Sequence, residues 1–384
     1  MASHGDPASS HLYDALADLA PLKGSATHLS EPLSNHQRRK LLNLQDECFQ
    51  IHNQDDPSTM AVWSKEVDDS TVKEAVFIEF KSYRNHDGDR DDKVRDDVLR
   101  LGKLLHDPKT PVRLHTRTCY GLTEDIDKGR IGFVYKLPWR LDVRGSHAQK
   151  ARALTRQMPC SLESVIKTEQ APPLGDRFGL AKKLLEGVML MHATGWVHKN
   201  IRSTSIMFFR KCPVSRSTPP FNWESPYLMG WGFSRSENFV VNVTRGGAEV
   251  GGSTQEHRIE LDIYQHPDKR MDPYRRYQHA YDIYSLGLVL LELGLWKSLT
   301  ATLPSAIRRR YYAADDERFP EDYFSAHGHI LKHLQPLLVA QCGSIYASVV
   351  KAMLNTKSTK LDIEKQQQAE SCLKLAAELS RCVA

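Results

Sequence analysis

No C-x-x-C pair occurs in the sequence, and its seven cysteines are odd in number and widely spaced. That excludes a disulfide framework and the common cysteine zinc sites, and it fits a reducing compartment. No uninterrupted apolar run reaches the roughly 18 residues of a membrane span. The best, 286–296, is short and broken by Glu292. The opening residues, MASHGDPASSHLYD, lack a basic stretch followed by an apolar core, so no secretory signal is expected. Charge of one sign is lacking too. The 52 Lys and Arg stand against 47 Asp and Glu, a net +5 that argues for neither nucleic acid nor an anionic membrane. Glycine is absent from one long stretch in particular, with only Gly5 and Gly24 before position 81. What is present is an ordinary globular balance, 40% hydrophobic and 26% charged over 384 residues, too apolar for a disordered chain. A cytoplasmic protein with a large core, in two or three domains, is expected.

Residues 1–58 read as an N-terminal extension, loose at first and helical over 34–50. The region 59–139 carries strand signals around one helix. AVFIEF at 75–80 is a β-type run, followed by a polar turn with Asn85, Asp87 and Gly88. A helix follows, with apolar positions Val94, Val98, Leu101, Leu104 and Leu105. Further strands are expected at 113–120 and 131–137. After a basic stretch at 139–157 the rest of 140–384 is mainly helical, with a long amphipathic helix at 178–192 and a hydrophobic one at 283–296. Short strands break it at 206–209 and 227–229. The predicted fold class is α+β, a small β-rich part with one helix and then a large helical part.

A helix ending at Gly195, a His-containing turn and an apolar strand make up VHKNIRSTSIMFF at 197–209. This resembles the catalytic loop of protein kinases, H-R-D-L-K-x-x-N, laid over His198, Lys199, Asn200, Ile201, Arg202 and Ser205. Upstream, IEFK ending at Lys81 stands where V-A-I-K belongs. Downstream, Gly230-Trp231-Gly232 stands for D-F-G and His266-Pro267-Asp268 for A-P-E. Asp282 opens DIYSLG, similar to the start of the central buried helix. The finer wording over roughly 60–384 resembles the kinase-like domains of filamentous fungi that often follow a HeLo-type prion and incompatibility domain. The resemblance implies a bilobal protein kinase-like fold with a β-rich N-lobe and a helical C-lobe. It also implies a role in self/non-self recognition or regulated cell death.

Phosphoryl transfer needs a loop over the phosphates, a Lys held by a helix carboxylate, oxygen ligands for metal, and a carboxylate facing the substrate hydroxyl. The missing glycines exclude the first, because backbone N–H groups approach phosphate closely only where side chains are absent. Lys81 is retained, with Asp97 or Asp96 as its helix partner. Glu79, two residues away on the same strand face, is expected to point into the pocket. A carboxylate there is costly unless Lys81 neutralises it, so the pair is read as a plug. The alternative is a one-residue bulge that turns Glu79 outward. Asn200 has no proton affinity to serve as a base. Ser205 and Gly230 stand at the metal positions, where magnesium wants carboxylate. Arg202 keeps a positive charge. His198, Asp282, Trp231 and Asp268 read as architectural, Trp231 filling an apolar spine and Asp268 making a buried pair.

No metal is expected. HGHILKH at 327–333 offers one i, i+4 histidine pair without a third ligand. A mobile loop at 232–266 with Phe239, Val240 and Val241 is a candidate anchor for a protein partner. The functional expectation is a catalytically inactive kinase-like scaffold without cofactor. The alternatives are an unconventional kinase using Lys81 and Arg202, or a sensor binding ATP without magnesium.

Overall fold

The computed structural model describes residues 32–384 apart from 46, 52, 54–55, 68–69, 85–87, 108–113, 139–145, 147–148, 150–153, 155–157, 210–220, 224, 232–233, 237–262, 273–274, 308–325 and 358–362. The expected loop anchor Phe239–Val241 and most of the basic stretch at 139–157 therefore lie outside the described residues. The fold is mixed α+β around a five-stranded antiparallel sheet.

The sheet grows from the β-branched and aromatic run the sequence shows. Strands β1 (Cys48–Ile51), β2 (Ser58–Val67), β3 (Ser70–Ser82), β4 (Cys119–Asp125) and β5 (Arg130–Lys136) lie in the order β1-β2-β3-β5-β4. Alternation divides β3 between two cores. Val76, Ile78 and Phe80 pack with Ala61, Trp63 and Val134 on one face. Phe77 joins Met60, Val62, Phe133 and Tyr135 on the other. Helix α2 (Asp92–His106) stands between β3 and β4 in sequence and buries Val98, Leu101, Leu104 and Leu105. Its N-terminus is fixed by Asp91, whose carboxylate accepts from Lys93 N and Val94 N at 2.9 and 3.0 Å.

The segment before the sheet departs from expectation. Only α1 (Asn35–Leu41) is helical, started by a Ser34/Gln37 capping box. Residues 43–45 seal the open edge of β4 instead. Leu44 N donates to Leu122 O at 3.0 Å. The Asn43 amide accepts from Leu122 N and donates to Tyr120 O, and the Gln45 amide does the same with Glu124 N and O. Two side-chain amides thus stand in for a partner strand and satisfy groups an edge leaves open. The chain then enters β1 on the opposite edge. Arg38 clamps this segment to α2 through a two-pronged bond to Asp96 at 2.8 and 2.9 Å, and Leu33 N adds a third at 2.9 Å. Arg38→Ala should strip a nearly buried carboxylate of two charged donors and cost about 2 kcal/mol. A denaturant midpoint unchanged from the parent would show that the clamp carries no stability.

The strand expected at 113–120 begins at Cys119 and runs to Asp125. His115, at φ 47°, turns the chain before it. Its second half, Leu-Thr-Glu-Asp, reads as polar loop, yet Glu124 is buried against Arg95 through bonds of 2.7 and 2.7 Å. Pairing converts a polar stretch into strand.

The helical part is organised on α6 (His279–Leu295), in which every residue from Ala280 to Leu295 is buried. A helix apolar on all sides must be surrounded. Its neighbours are α4 (Leu174–Ala193) and α8 (Gln335–Leu354), the latter preceded by a π-turn at Ile330–Leu334. Close approach explains two glycines of α6. A Cβ at Gly287 would stand 2.9 Å from Met353 Cβ, and one at Gly294 would stand 2.4 Å from Leu338 Cδ1. Ala326–Leu354 is long and apolar enough to cross a membrane by composition. Its Leu338, Tyr346, Val350 and Met353 are buried in the core. The C-terminal helix α9 (Ile363–Ser380) packs Leu379 and Cys372 against the same core, with Leu373 and Ala376 partly buried.

Between α2 and α6 run the short elements that carry the site. They are β6 (Cys160–Ser161), α3 (Leu162–Thr168), β7 (Trp196–Val197), β8 (Ile206–Phe208), β9 (Tyr227–Leu228) and β10 (Arg235–Ser236). Strand β10 pairs with β7, and β8 lies between β6 and β9. Helices α5 (Pro267–Met271) and α7 (Leu299–Thr302) flank α6.

Candidate functional site

Helix α4 ends at Ala193, and the chain leaves through Gly195 at φ 82° into β7. The turn that follows is held by one carboxylate. Asp282, in the first turn of α6 and 0% exposed, accepts His198 N at 2.7 Å and Lys199 N at 2.9 Å. His192 Nε2 at 3.0 Å and the Tyr277 hydroxyl at 3.0 Å complete its shell. These bonds hold Lys199 at φ 65°, a left-handed conformation costly for a residue with a side chain. Burial alone pushes Asp282 upward. The bond and charge of His192 and the His198 N–H outweigh it, and the carboxyl sits below its ordinary value of 3.8. The buried His198 ring is pushed down to about 4 by desolvation, so it is neutral at physiological pH. It meets the Trp231 indole edge-on at 4.9 Å.

Trp231 is fully buried and donates its indole N–H to Leu228 O and Thr116 Oγ1 at 2.9 and 3.1 Å. It belongs to the core, as its apolar-spine assignment expects. Asp268 is half-buried, with a side chain 30% exposed and with Arg275 and His266 at 3.6 and 3.8 Å. His266 caps α5 through its ring, Nδ1 accepting Asp268 N at 3.1 Å.

The structure brings Glu79, Asn200, Ser205 and Gly230 together. Pairing of β3 with β5 is continuous from Val76 to Ser82, so no bulge turns Glu79 outward. Its side chain is buried, and Oε2 accepts the backbone N–H of Gly230 at 3.1 Å. On the other side, Asn200 Nδ2 donates to Gly230 O at 3.3 Å. Both polar groups of one glycine peptide segment are thereby engaged by residues 30 and 151 positions away. Gly230 itself sits at φ 82°, and a Cβ there would stand 2.4 Å from Asn200 Nδ2 and 3.2 Å from Ser205 Cβ. Ser205 Oγ donates to Arg202 O at 2.9 Å and accepts Arg202 N at 3.1 Å, so the hydroxyl closes its own turn.

Lys81 on β3 is buried to 7% exposure and Arg202 to 8%. Of the two acidic candidates on α2, Asp96 is engaged by Arg38, and Asp97 is buried at 1% exposure. The charge of Glu79 also reaches Cys119 and Tyr135 across the sheet. Burial is the main reason both are pushed up, Cys119 to about 12, and Glu79 adds to it.

Magnesium wants carboxylate oxygens; Gly230 has neither a side chain nor room for one, and the Ser205 oxygen is spent on backbone. Among the described residues no group of three or more His, Cys, Asp or Glu is placed to hold a metal ion, and the His329 and His333 rings lie tilted to one another with centroids 4.8 Å apart. Sequence reading missed His192, Tyr277 and Thr116. The only sequence signal for the first two was their position beside the elements that carry His198 and Asp282. No protein-family model and no curated protein sequence matches the chain.

Proposed function

We propose that this chain is a catalytically inactive protein kinase-like domain of bilobal plan, serving as a cytoplasmic binding or signalling scaffold. Several features support the kinase-like reading. Lys81 stands on the third strand and a helix with a buried acid follows it, the arrangement phosphoryl-transfer kinases use for their lysine. The turn at His198–Asn200, the hairpin from β8 to Gly230 and the buried helix opening with Asp282 succeed one another in the order the motifs demand. The observation that carries inactivity is the bond from Gly230 N–H to Glu79. In this reading the peptide that would present a metal carboxylate is held at both its polar groups, by Glu79 and by Asn200, which stands where a base belongs. What remains for the domain is its surface, so its partners are proteins, and the resemblance to fungal kinase-like domains makes self/non-self signalling the setting.

Magnesium-ATP at millimolar concentration should leave the melting temperature unchanged. A ligand at 100 times its dissociation constant adds about 2.7 kcal/mol of stability, several degrees for a domain of this size. A magnesium-dependent shift of that size would overturn the reading. The retained Lys81 favours a second reading, an anion or nucleotide sensor without turnover. Under it, ATP stabilises the protein equally with and without magnesium, and Lys81→Ala removes the effect.

A further inference from the structure

Glu292 lies in the last turn of α6 at 1% exposure, and no ion pair reaches it among the described residues. Neutral donors surround it instead. Leu299 N, at the start of α7, donates to Oε1 at 2.5 Å, and the Tyr264 hydroxyl bonds Oε2 at 2.7 Å. Tyr264 in turn bonds Ser203 Oγ at 2.9 Å, in the turn that follows Arg202. Its carbonyl accepts Ser285 Oγ at 2.8 Å. Among the described residues the packed elements offer it no ion pair. On α3 the facing group is Glu163, an anion held by Lys167 at 2.9 Å. On α4, the Arg177 guanidinium donates to Gly294 O at 2.6 Å.

We infer that the Glu292 carboxyl is a proton-operated latch, closed when protonated, that fastens Tyr264 and the start of α7 to the central helix. An ionised carboxylate accepts both Leu299 N–H and the Tyr264 hydroxyl, but it remains a charge in the core with no ion-pair partner among the described residues. A neutral carboxyl removes that charge, keeps the Leu299 bond and needs only the Tyr264 bond to turn round, with the phenol then donating to Ser203 Oγ. Opening the latch to water relieves the ionised form.

The direction with pH follows from the same geometry. Burial pushes Glu292 up to about 7 despite the bonds from Leu299, Tyr264 and Ser203, against an ordinary 4.5 in water. The closed state thus holds a proton that the open state releases. The latch is fully closed below about 4.5 and its hold is lost as pH rises to about 7. His266, two residues from Tyr264, works in the opposite sense. Burial lowers it, and its Nε2 bonds Thr356 O at 2.9 Å, so opening lets it gain a proton at acid pH. A variant without the Glu292 charge should therefore show the histidine trend alone. The inference concerns the buried network itself and does not use the kinase-like reading.

The test is hydrogen exchange of the full chain, corrected for intrinsic rates, on peptides covering Ile263–His266 and Leu299–Thr302. Wild-type protection is expected to fall on the order of a hundredfold between pH 4.5 and 7. Glu292→Gln keeps an acceptor for Leu299 and is expected to lose that fall. Parallel curves for the two proteins would overturn the latch. Carbon-13 NMR of the Glu292 side-chain carboxyl in the wild-type protein decides the matter even if the variant fails to fold. Titration near neutrality supports the inference, and a carboxyl already ionised at pH 5 refutes it.

Discussion

Asp282→Ala is expected to cost about 3–5 kcal/mol, a large share of the 5–15 kcal/mol that holds a typical domain. The substitution removes four bonds at once and leaves His198 N and Lys199 N as buried donors without an acceptor. Each such orphan costs about 1–3 kcal/mol, and Lys199 loses what held its left-handed backbone. Asn200→Ala removes one bond of 3.3 Å and should cost about 1 kcal/mol. The two midpoints in urea at pH 7 are the measurement, and equal tolerance would mean that Asp282 does not organise the turn. Because the carboxyl is held below 3.8, its contribution is fully present above that value. It is lost as pH falls through the folded pKa.

The second large effect concerns repair of the motif. Installing Asn200→Asp and Gly230→Asp together restores the residue types of an active kinase, yet the variant should transfer no phosphate and should be less stable than the parent by about 3 kcal/mol or more. Three costs add. A side chain at φ 82° is strained by about 1–2 kcal/mol. Its Cβ meets the side chain of residue 200, now 2.4 Å away. The new carboxylate arrives beside Glu79, whose own oxygen lies 3.1 Å from the same residue's nitrogen, and like charges at such range repel. Gly230→Ala should show the steric part alone, and adding Glu79→Gln to the double variant should recover the charge part. A double variant as stable as the parent would contradict the clamp, as would labelled phosphate incorporated above the parent's level.

Much of this site was legible because chemistry and backbone left marks in the sequence. Alternation along β3 put Glu79 and Lys81 on one face. The apolar length of α6 announced a helix with no solvent side, and an aspartate at its start had no other use than to hold a turn. One partner of Glu79 was not legible. The sequence suggested Lys81, because opposite charges two residues apart on a strand are adjacent; the structure shows a bond to the carboxylate from a backbone N–H 151 residues away. Backbone donors have no letter in a sequence. The same holds for residues 43–45, where Asn43 and Gln45 act through amides that mimic a peptide while their letters continue an amphipathic helix pattern. Strand β4 was misplaced because Glu124 looks like a loop residue until Arg95, one turn into a helix 29 positions earlier, is seen to neutralise it. Asp268, for which a motif position suggested a buried pair, is half-buried, and the local cap from the His266 ring was not legible either.

The most direct test is phosphate transfer from labelled ATP by the purified full chain, with magnesium or manganese, onto itself and onto a generic protein substrate, beside Lys81→Ala. A glycine peptide locked between Glu79 and Asn200 predicts that the parent and the Lys81→Ala variant are indistinguishable from a no-protein control. Transfer by the parent that disappears in Lys81→Ala would contradict the account, because it would show a working nucleotide site where the proposed function has none.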